Sequence, residues 1–399
     1  MNKCVTIATT AVSLASGIVC AQSSVTLYGV VDNGVTYQNS GTTLGSTTGG
    51  HSAVKMSTGV WLGSRFGLKG AEDLSGGLKA IFQLEAGVNS NNGTSQFSGG
   101  MFTRQSWLGL SDPRYGVLTA GRQYTAYYTL LSPYTPNNWL TGYFGAHPGD
   151  IDALDVDYRA SNSLVYMSPE FYGFTVGGSY AFGGAPGSIN AGSSWSAGAR
   201  YGHGPYGIAV AFQRVNNSTP GGGVWGAEST LSNGGDQTAV SAINNGYKTA
   251  QAQQRVAVTA GYLTSGWDIT ASYSNVQYIP GIDSTFRNQA TFNTAGAVVR
   301  WKSPAAPWVF AGGYSYTRAT LSNGIDTAAQ YHQLTLSQYY YLSKRTGLYA
   351  VEAYQRSNGM TLNGAEIIDA TASIGNGFNN SPSSSRSQFG AGVGLIHNF

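Results

Sequence analysis

Charged side chains are scarce in this chain of 399 residues. Only 10% of its residues are Asp, Glu, Lys or Arg, whereas ordinary soluble domains contain roughly a quarter. The formal net charge of +3 is too small for a basic nucleic-acid-binding surface. Long hydrophobic runs are also missing: the mean hydropathy is −0.14, and no segment after the N-terminal one reaches the roughly 18 apolar residues of a membrane-spanning helix. These absences exclude a helical membrane protein and argue against a nucleic-acid-binding protein.

Cysteine is nearly absent as well, since only Cys4 and Cys20 occur. Both lie in "MNKCVTIATTAVSLASGIVCAQSS", which has a basic residue at Lys3, an apolar run and a small-residue exit, as a secretory signal peptide does. We therefore expect residues 1–21 to be a signal peptide cleaved after Ala21. A lipoprotein signal that uses Cys20 is the alternative, but Val19 is bulky where such signals carry a small residue. The mature chain, residues 22–399, then has no disulfide to stabilise it.

Glycine and tyrosine are abundant, with 56 and 26 residues, and 41% of all residues are hydrophobic. From Val25 onward, apolar and small polar residues alternate with a period of two, which predicts β-strands. In "WVFAGGYSY", for example, Trp308, Phe310 and Tyr314 share one face, opposite Ala311 and other small residues. The polar face carries Gly, Ser and Thr rather than many Lys and Glu, which favours a wet lumen over a solvated outer surface.

The connections between these strands alternate in length. Seven short turns, such as "DLSGG" and "SKRTG", alternate with eight long segments rich in Asn, Ser and Gly. Such a layout is typical of outer-membrane barrels, in which even numbers of antiparallel strands have short turns at one end and long loops at the other. We therefore predict an all-β fold: a 16-stranded antiparallel transmembrane β-barrel, which is wide enough to leave an aqueous channel.

Aromatic residues cluster near the predicted strand ends, as in Tyr339-Tyr340-Tyr341 and around Trp301 and Trp308. Tyrosine and tryptophan favour the membrane–water interface, so these clusters predict an aromatic girdle. The alternative is the ordinary preference of aromatic residues for strands. The sequence ends at Phe399 in an alternating segment, and we expect this segment to pair with the first strand near Tyr28, because only a closed barrel leaves no unpaired edge in lipid.

The chain resembles the general trimeric porins of Gram-negative outer membranes, especially those of β-proteobacteria. The resemblance rests on "SVTLYGVVDNGV", "SRFGLKGAEDLSGGLKAIFQLE", "TRQSWLGLSDPRYGVLTAGRQ", "DYRASNSLVYMSP" and "GVGLIHNF", and it spans essentially residues 24–399. It implies a homotrimer in the bacterial outer membrane that contacts membrane lipid and lipopolysaccharide, and a third loop folded into the lumen. It also implies that Phe399 is an assembly signal read by the barrel assembly machinery.

The segment 123–157 is the predicted third loop, and it is too long for an ordinary connection. Its aromatic composition argues against disorder, so we expect it to pack against the inner wall and constrict the pore. The constriction-loop aromatics are Tyr124, Tyr127, Tyr128, Tyr134, Trp139, Tyr143 and Phe144.

Strand parity places a set of charged residues in the lumen. The predicted pore-lining basic residues are Arg65, Lys69, Lys79, Arg104 and Arg159, of which Arg65, Arg104 and Arg159 match the family's wall arginines by resemblance. The predicted pore and loop acids are Glu85, Asp150, Asp152, Asp155 and Asp157. By the same resemblance, Arg122 occupies a place that often serves subunit contacts. Because the loop has no acid before Asp150, a net positive lumen and weak to moderate anion selectivity are expected. In the alternative, the four loop aspartates fold back toward the arginines and balance their positive charge.

No catalytic or metal site is predicted, because the five histidines are scattered and no cysteine nucleophile or Gly-x-Ser-x-Gly motif occurs. No cofactor is expected either. The predicted function is passive diffusion of small hydrophilic solutes and ions. A substrate-specific sugar or small-anion porin, an adhesion barrel that acts through its long loops, and an outer-membrane lipase or protease remain alternatives.

Overall fold

The structure is a computed structural model that describes residues 24–97, 100–155, 158–223, 240–376, 379 and 381–399. The predicted signal peptide and Asp157 lie outside these residues. Sixteen strands form one closed antiparallel barrel, as predicted. Their bounds are β1 Ser24–Gly41, β2 His51–Thr58 and Arg65–Asp73, β3 Lys79–Asn89, β4 Gln105–Asp112, β5 Gly116–Tyr124, β6 Arg159–Met167, β7 Phe174–Ala181, β8 Ser194–His203, β9 Tyr206–Asn216, β10 Ala252–Leu263, β11 Trp267–Ile279, β12 Ala290–Lys302, β13 Trp308–Ala319, β14 Gln330–Tyr341, β15 Thr346–Asn358 and β16 Ser387–Asn398.

The barrel closes between its first and last strands. Val30 to Gln38 of β1 pair in antiparallel register with Asn398 to Gly390 of β16. Beyond the end of β16, Phe399 and Gly29 exchange two backbone hydrogen bonds, of 3.1 and 3.0 Å. The closing strand therefore lies where the sequence predicted it, one residue from Tyr28.

Side chains alternate between the two faces of the wall as the sequence pattern predicted. On β13, Phe310 and Tyr314 face outward and are exposed, while Ser315 and Thr317 face the lumen and are buried. On β14 the outward ring is that of Tyr340, which contacts Trp308 at 4.7 Å between centroids. Tyr339 faces the lumen, so its assignment to an outer girdle was wrong, because neighbouring strand residues point to opposite faces.

The seven short turns and eight long connections are present at opposite ends of the barrel. The first long connection is shorter than the predicted 38–54, because β1 runs on to Gly41 and β2 already starts at His51. The third connection contains α1 Ala126–Leu131, a 3-10 turn Ser132–Tyr134, α2 Asn137–Leu140 and α3 Gly142–Gly145. Within the described residues, no helix has the length and apolarity to cross a membrane.

At the long-loop end of the barrel, several long connections pack against the wall and against one another. A 3-10 turn, Asn245–Tyr247, places the ring of Tyr247 against those of Tyr278, Phe286 and Phe292, with centroids 5.2 to 5.6 Å apart. Two hairpins, Met360–Asn363 with Glu366–Asp369 and Ser373–Ile374 with Ser381–Pro382, lie in the last long connection. Ser241 and Asn376 reach Gly149 of the third connection. The mouth of the barrel is thus partly covered by loops that pack on one another.

Candidate functional site

Three arginines lie together on one stretch of the inner wall. Arg65 begins the second part of β2, Arg104 directly precedes β4, and Arg159 begins β6. Arg104 and Arg159 each follow a long connection, whereas Arg65 follows the break in β2 after Thr58, and all three lie along the same open cavity. They belong to alternate strands, and neighbouring strands lie about 4.8 Å apart. The guanidinium groups are therefore close enough to act on the same solute.

Fixed partners orient these arginines. Arg104 Nε donates to Glu85 Oε1 at 2.8 Å, and both side chains are buried. Arg104 and Arg159 both donate to the hydroxyl of Tyr124, at 3.4 and 2.9 Å, and the Arg159 guanidinium lies 4.8 Å from the centroid of that ring. Arg65 Nε donates to the carbonyl of Gly63 at 2.8 Å. Such partners preorganise the charges and leave little rotamer freedom.

An open cavity of about 450 Å³ lies in front of the arginines. On the far side it is bounded by residues of the third connection. The described lining residues are Gly59, Trp61, Leu62, Gly63, Arg65, Gln96, Phe97, Arg104, Tyr124, Tyr128, Asn138, Gly142, Tyr143, Asp155, Arg159, Asn376 and Asn379. In this set the basic residues are the three arginines and the acidic residue is Asp155, so the lining has an excess of positive charge.

Hydrogen bonds hold the third connection against the opposite wall. Thr259 Oγ1 donates to the carbonyl of Leu131 at 3.1 Å, and Ser337 Oγ donates to that of Trp139 at 2.7 Å. Gln333 Nε2 donates to the carbonyl of Phe144 at 3.0 Å. Because these wall residues lie on β10 and β14, the connection crosses the lumen and narrows it.

The aromatic residues predicted for this loop divide into two groups. Those that line the cavity are Tyr124, Tyr128 and Tyr143. Those that fix the loop to the wall are Tyr127, Tyr134, Trp139 and Phe144. Phe144 lies over Gly390 and Gly392 of β16, where an added Cβ would come within 2.8 and 3.2 Å of its ring. The alternating glycines of the last strand therefore leave room for a loop side chain.

The predicted acids also occupy different environments. Asp152 Oδ2 lies 2.7 Å from His147 Nδ1 and accepts a hydrogen bond from Ser274 Oγ at 2.7 Å. Burial raises the pKa of Asp152, but His147 and Ser274 outweigh this effect and hold its pKa below the usual range. Asp150 Oδ1 accepts from the backbone N–H of Asp155 at 2.9 Å. Asp150 and Asp152 thus stabilise the return of the loop, and Asp155 reaches the cavity.

Lys69 and Lys79 lie on the same wall, further toward the short-turn end. Lys69 pairs with Gln83 and its ammonium lies 5.3 Å from the ring centroid of Tyr28, while Lys79 pairs with Asp73 beside the first short turn. The structure therefore does not bring these two lysines together with the arginine cluster. Arg122 donates to the carbonyl of Thr103 at 2.6 Å and to Ser161 Oγ at 2.6 Å.

Two further arginines were missed as site residues. Arg255 on β10 is buried beneath the loop, with its guanidinium 5.3 Å from the ring centroid of Tyr158. Arg300 on β12 pairs with Asp268 and lies 3.0 Å from the ring centroid of Trp139. The alternation of "RVAVTAGYL" puts Arg255 on the polar face, and this pattern could have identified it; its loop partners are distant in sequence and could not be anticipated.

A closed barrel with an apolar outer face and a charged lumen narrowed by an inward-folded loop defines a membrane channel of the bacterial outer-membrane type. The comparison with known families agrees with this class. The Gram-negative porin family matches residues 8–360, and the chain belongs to that family.

Relatives and solved structures agree with the assignment. An outer membrane porin protein of Bordetella pertussis is 28% identical over 375 residues, which cover 86% of this chain and 91% of the relative. The outer membrane porin protein 32 of Delftia acidovorans is 38% identical over 184 residues, 43% of this chain and 48% of that protein. The anion-selective porin from Comamonas acidovorans has the same fold, with a TM-score of 0.66, 23% identity and coverage of 95% and 100%. The chain is an outer-membrane porin that forms a passive channel.

Proposed function

We propose that this porin passes small hydrophilic solutes with a preference for anions, and that residues 123–157 form its constriction. The observation that carries the proposal is the charge of the cavity lining, where Arg65, Arg104 and Arg159 face Asp155. Rings of arginine favour anions because each permeating ion partly exchanges its hydration for these charges. The Arg104–Glu85 pair carries no net charge, so Arg65 and Arg159 supply the positive excess. Asp152 is buried against His147 and does not line the cavity, which leaves that excess in place. A structural neighbour that is itself described as anion-selective fits this preference.

The reversal potential across a salt gradient tests this proposal. Arg65→Gln and Arg159→Gln, alone and together, should each move the reversal potential toward that of a non-selective pore, with the double variant moving it furthest. Arg104 is left in place because its removal would leave Glu85 buried without its counter-charge, which is strongly destabilising. Arg114→Gln, in the exposed turn after β4, is the matched control and should leave the potential unchanged. A cation preference of the unmodified channel would refute the proposal.

A substrate-specific channel is the second candidate, favoured by Tyr128 and Tyr143 in the cavity lining. It predicts that the flux of one sugar or small anion saturates, whereas a general pore sorts solutes by size in a liposome-swelling assay. Adhesion through the long loops is compatible with either channel. For catalysis, His147, Asp152 and Ser272 lie near one another, but all three side chains are buried beneath the loop, so we assign them to loop anchoring.

We further propose that the protein is a homotrimer that binds lipopolysaccharide and is inserted by the barrel assembly machinery. Arg318 on β13 and Arg356 on β15 support a lipid contact. Both side chains are exposed on the outward face of the barrel, near the strand ends that lead into long connections. Basic groups at that level suit lipid phosphates. Native mass spectrometry of the purified protein measures the number of protein copies and the amount of bound lipid. A monomer without lipopolysaccharide would contradict this assignment.

A further inference from the structure

Strand β2 is interrupted by a short segment that enters the lumen. Thr58 ends its first part and Arg65 begins its second, while β1 pairs with both parts. We call residues 59–64 between them the inner turn. It begins at Gly59, whose φ of +66° places it in the left-handed region, where a residue with a Cβ is disfavoured. The first part of β2 therefore leads into a turn rather than into a continuous strand.

Aromatic packing holds the inner turn against the lumen wall. The ring of Trp61 lies 4.9 Å from that of Tyr339 and 5.5 Å from that of Tyr349, centroid to centroid. Val60 is fully buried in the same cluster, which also contains Phe144 of the constriction loop. Packing on β14 and β15 shows that the turn points into the barrel. The inner turn and the tip of the constriction loop therefore pack in the same hydrophobic cluster.

Asp32 binds the backbone of this turn. Its Oδ2 accepts the N–H groups of Trp61 and Leu62 at 2.6 and 2.8 Å, and its Oδ1 accepts the Tyr349 hydroxyl at 2.6 Å. Asp32 is fully buried on the inward face of β1. Hydrogen bonds from two successive N–H groups to a buried carboxylate are strong and directional. Asp32 therefore determines where the inner turn sits in the lumen.

The inner turn also contacts the charged site. Gly59, Trp61, Leu62 and Gly63 line the cavity whose other sides are the arginines and the constriction loop. The carbonyl of Gly63 accepts the Arg65 Nε hydrogen bond at 2.8 Å. Leu62 is 43% exposed, so its side chain occupies space that a solute would use. The turn thus both narrows the cavity and orients one of its cations.

We propose that the inner turn is a second constriction element, facing the constriction loop, and that Asp32 is the positioning residue that sets its depth and the direction of Arg65. The size part of this inference rests only on the channel itself. The part that concerns Arg65 rests on the proposed anion preference.

The size part is tested at Leu62, where a change of bulk alters the lumen without removing a buried contact. Leu62→Ala should raise the single-channel conductance, and Leu62→Trp should lower it and slow liposome swelling by larger sugars more than by small ones. Leu342→Ala and Leu342→Trp, at an exposed short-turn leucine, are the matched controls and should change neither quantity. Unchanged conductance in both Leu62 variants would overturn the proposal, whatever the ion preference of the channel.

The positioning part is tested by a double-mutant cycle of Asp32→Asn and Arg65→Gln, read as the reversal potential. An Asn side chain cannot accept from all three donors, so the turn should lose its place and Arg65 its orientation. Asp32→Asn alone should weaken the anion preference, and adding it to Arg65→Gln should change the preference little, since coupled residues are non-additive. Full additivity would reject a role through Arg65. If Asp32→Asn yields no folded channel, Tyr349→Phe, which removes the hydroxyl that donates to Asp32 Oδ1, replaces it in the cycle with the same expected results.

Discussion

At the scale of single residues, the behaviour of Asp155 connects burial to selectivity. Burial raises the pKa of this carboxyl group to about 7, the nearby Asp152 adds to the rise, and a hydrogen bond from Asn376 together with His147 and Arg159 opposes it. Asp155 is also the acidic group in the described lining of the cavity. The charge of the constriction is therefore expected to change close to neutral pH.

We predict that the anion preference rises as the pH falls through about 7, because protonation of Asp155 removes the carboxylate that opposes the arginines. Reversal potentials measured on both sides of that pH check this. Asp155→Asn should show the high preference at every pH, and Asp73→Asn, near a short turn, should keep the pH response of the unmodified protein. A response that survives in Asp155→Asn would assign it to another group.

The raised pKa of Asp155 also makes the stability of the folded protein depend on pH, and the sign of this dependence follows from the direction of the shift. The folded protein holds the Asp155 proton up to about 7, whereas the ordinary value is 3.8. Between pH 3.8 and about 7, Asp155 binds a proton in the folded state but not in the unfolded state. Its contribution to stability is therefore complete below pH 3.8 and is lost as the pH rises through about 7.

At the scale of elements, the barrel wall and the constriction loop fit each other through paired large and small side chains. Phe144 lies over Gly390 and Gly392, and Tyr134 lies over Gly207 and Gly261. Inward-facing glycines on strands weaken the strand itself, since they bring no side chain to pack. Here they provide the depressions in which the aromatic side chains of the loop are held.

We predict that Gly390→Val displaces Phe144, because an added Cβ would lie 2.8 Å from its ring. Overpacking of this kind costs about 1–3 kcal/mol, and the loop tip should become mobile. Thermal unfolding and the open-channel noise of single channels measure the two effects. Ala391→Val places the same side chain one residue along, on the outward face, and should leave both nearly unchanged. Quiet channels of normal stability in Gly390→Val would show that Phe144 does not depend on this depression.

At the scale of the whole molecule, closure depends on the last residue. Phe399 completes the seam with Gly29 through two backbone hydrogen bonds, and its ring covers that glycine. Without these contacts the seam would lose pairing at the end of the barrel. Each such hydrogen bond contributes about 0.5–1.5 kcal/mol to stability. This is a modest contribution to a barrel that is already closed, but the two bonds form in the step that closes the barrel.

We predict that deletion of Phe399 lowers the yield of folded channels far more than it changes the conductance of those that form, because the residue lies outside the constriction. Heat-modifiable migration of the assembled protein and single-channel recording measure the two quantities. Phe399→Ala retains the backbone bonds and separates their effect from that of the ring. Phe389→Ala removes another outward phenylalanine of β16 and is the control. A normal yield after the deletion would remove any assembly role from Phe399.

Much of the architecture could be predicted because barrel strands obey a local rule. The period of two in "WVFAGGYSY" identifies a strand and its outward face without knowledge of its neighbours, and alternating turn lengths then indicate the number of strands. The same rule placed Arg65 and Glu85 on the inner wall. It could not predict that β2 breaks after Thr58, because the break is stabilised by Asp32 and Tyr349, which are distant in sequence.

The amino-acid sequence by itself thus determined the strands, their faces, their closure and the presence of a long aromatic loop, since each of these follows from side-chain alternation and turn chemistry along the chain. The tertiary structure alone decided which charges share a space. It brought Arg65, Arg104 and Arg159 together, paired Asp152 with His147, left Asp155 at the cavity and turned Trp61 inward. The physical reason is that the charge and width of a channel arise from side chains on different strands, whose distances depend on how the barrel closes and how the loop packs within it.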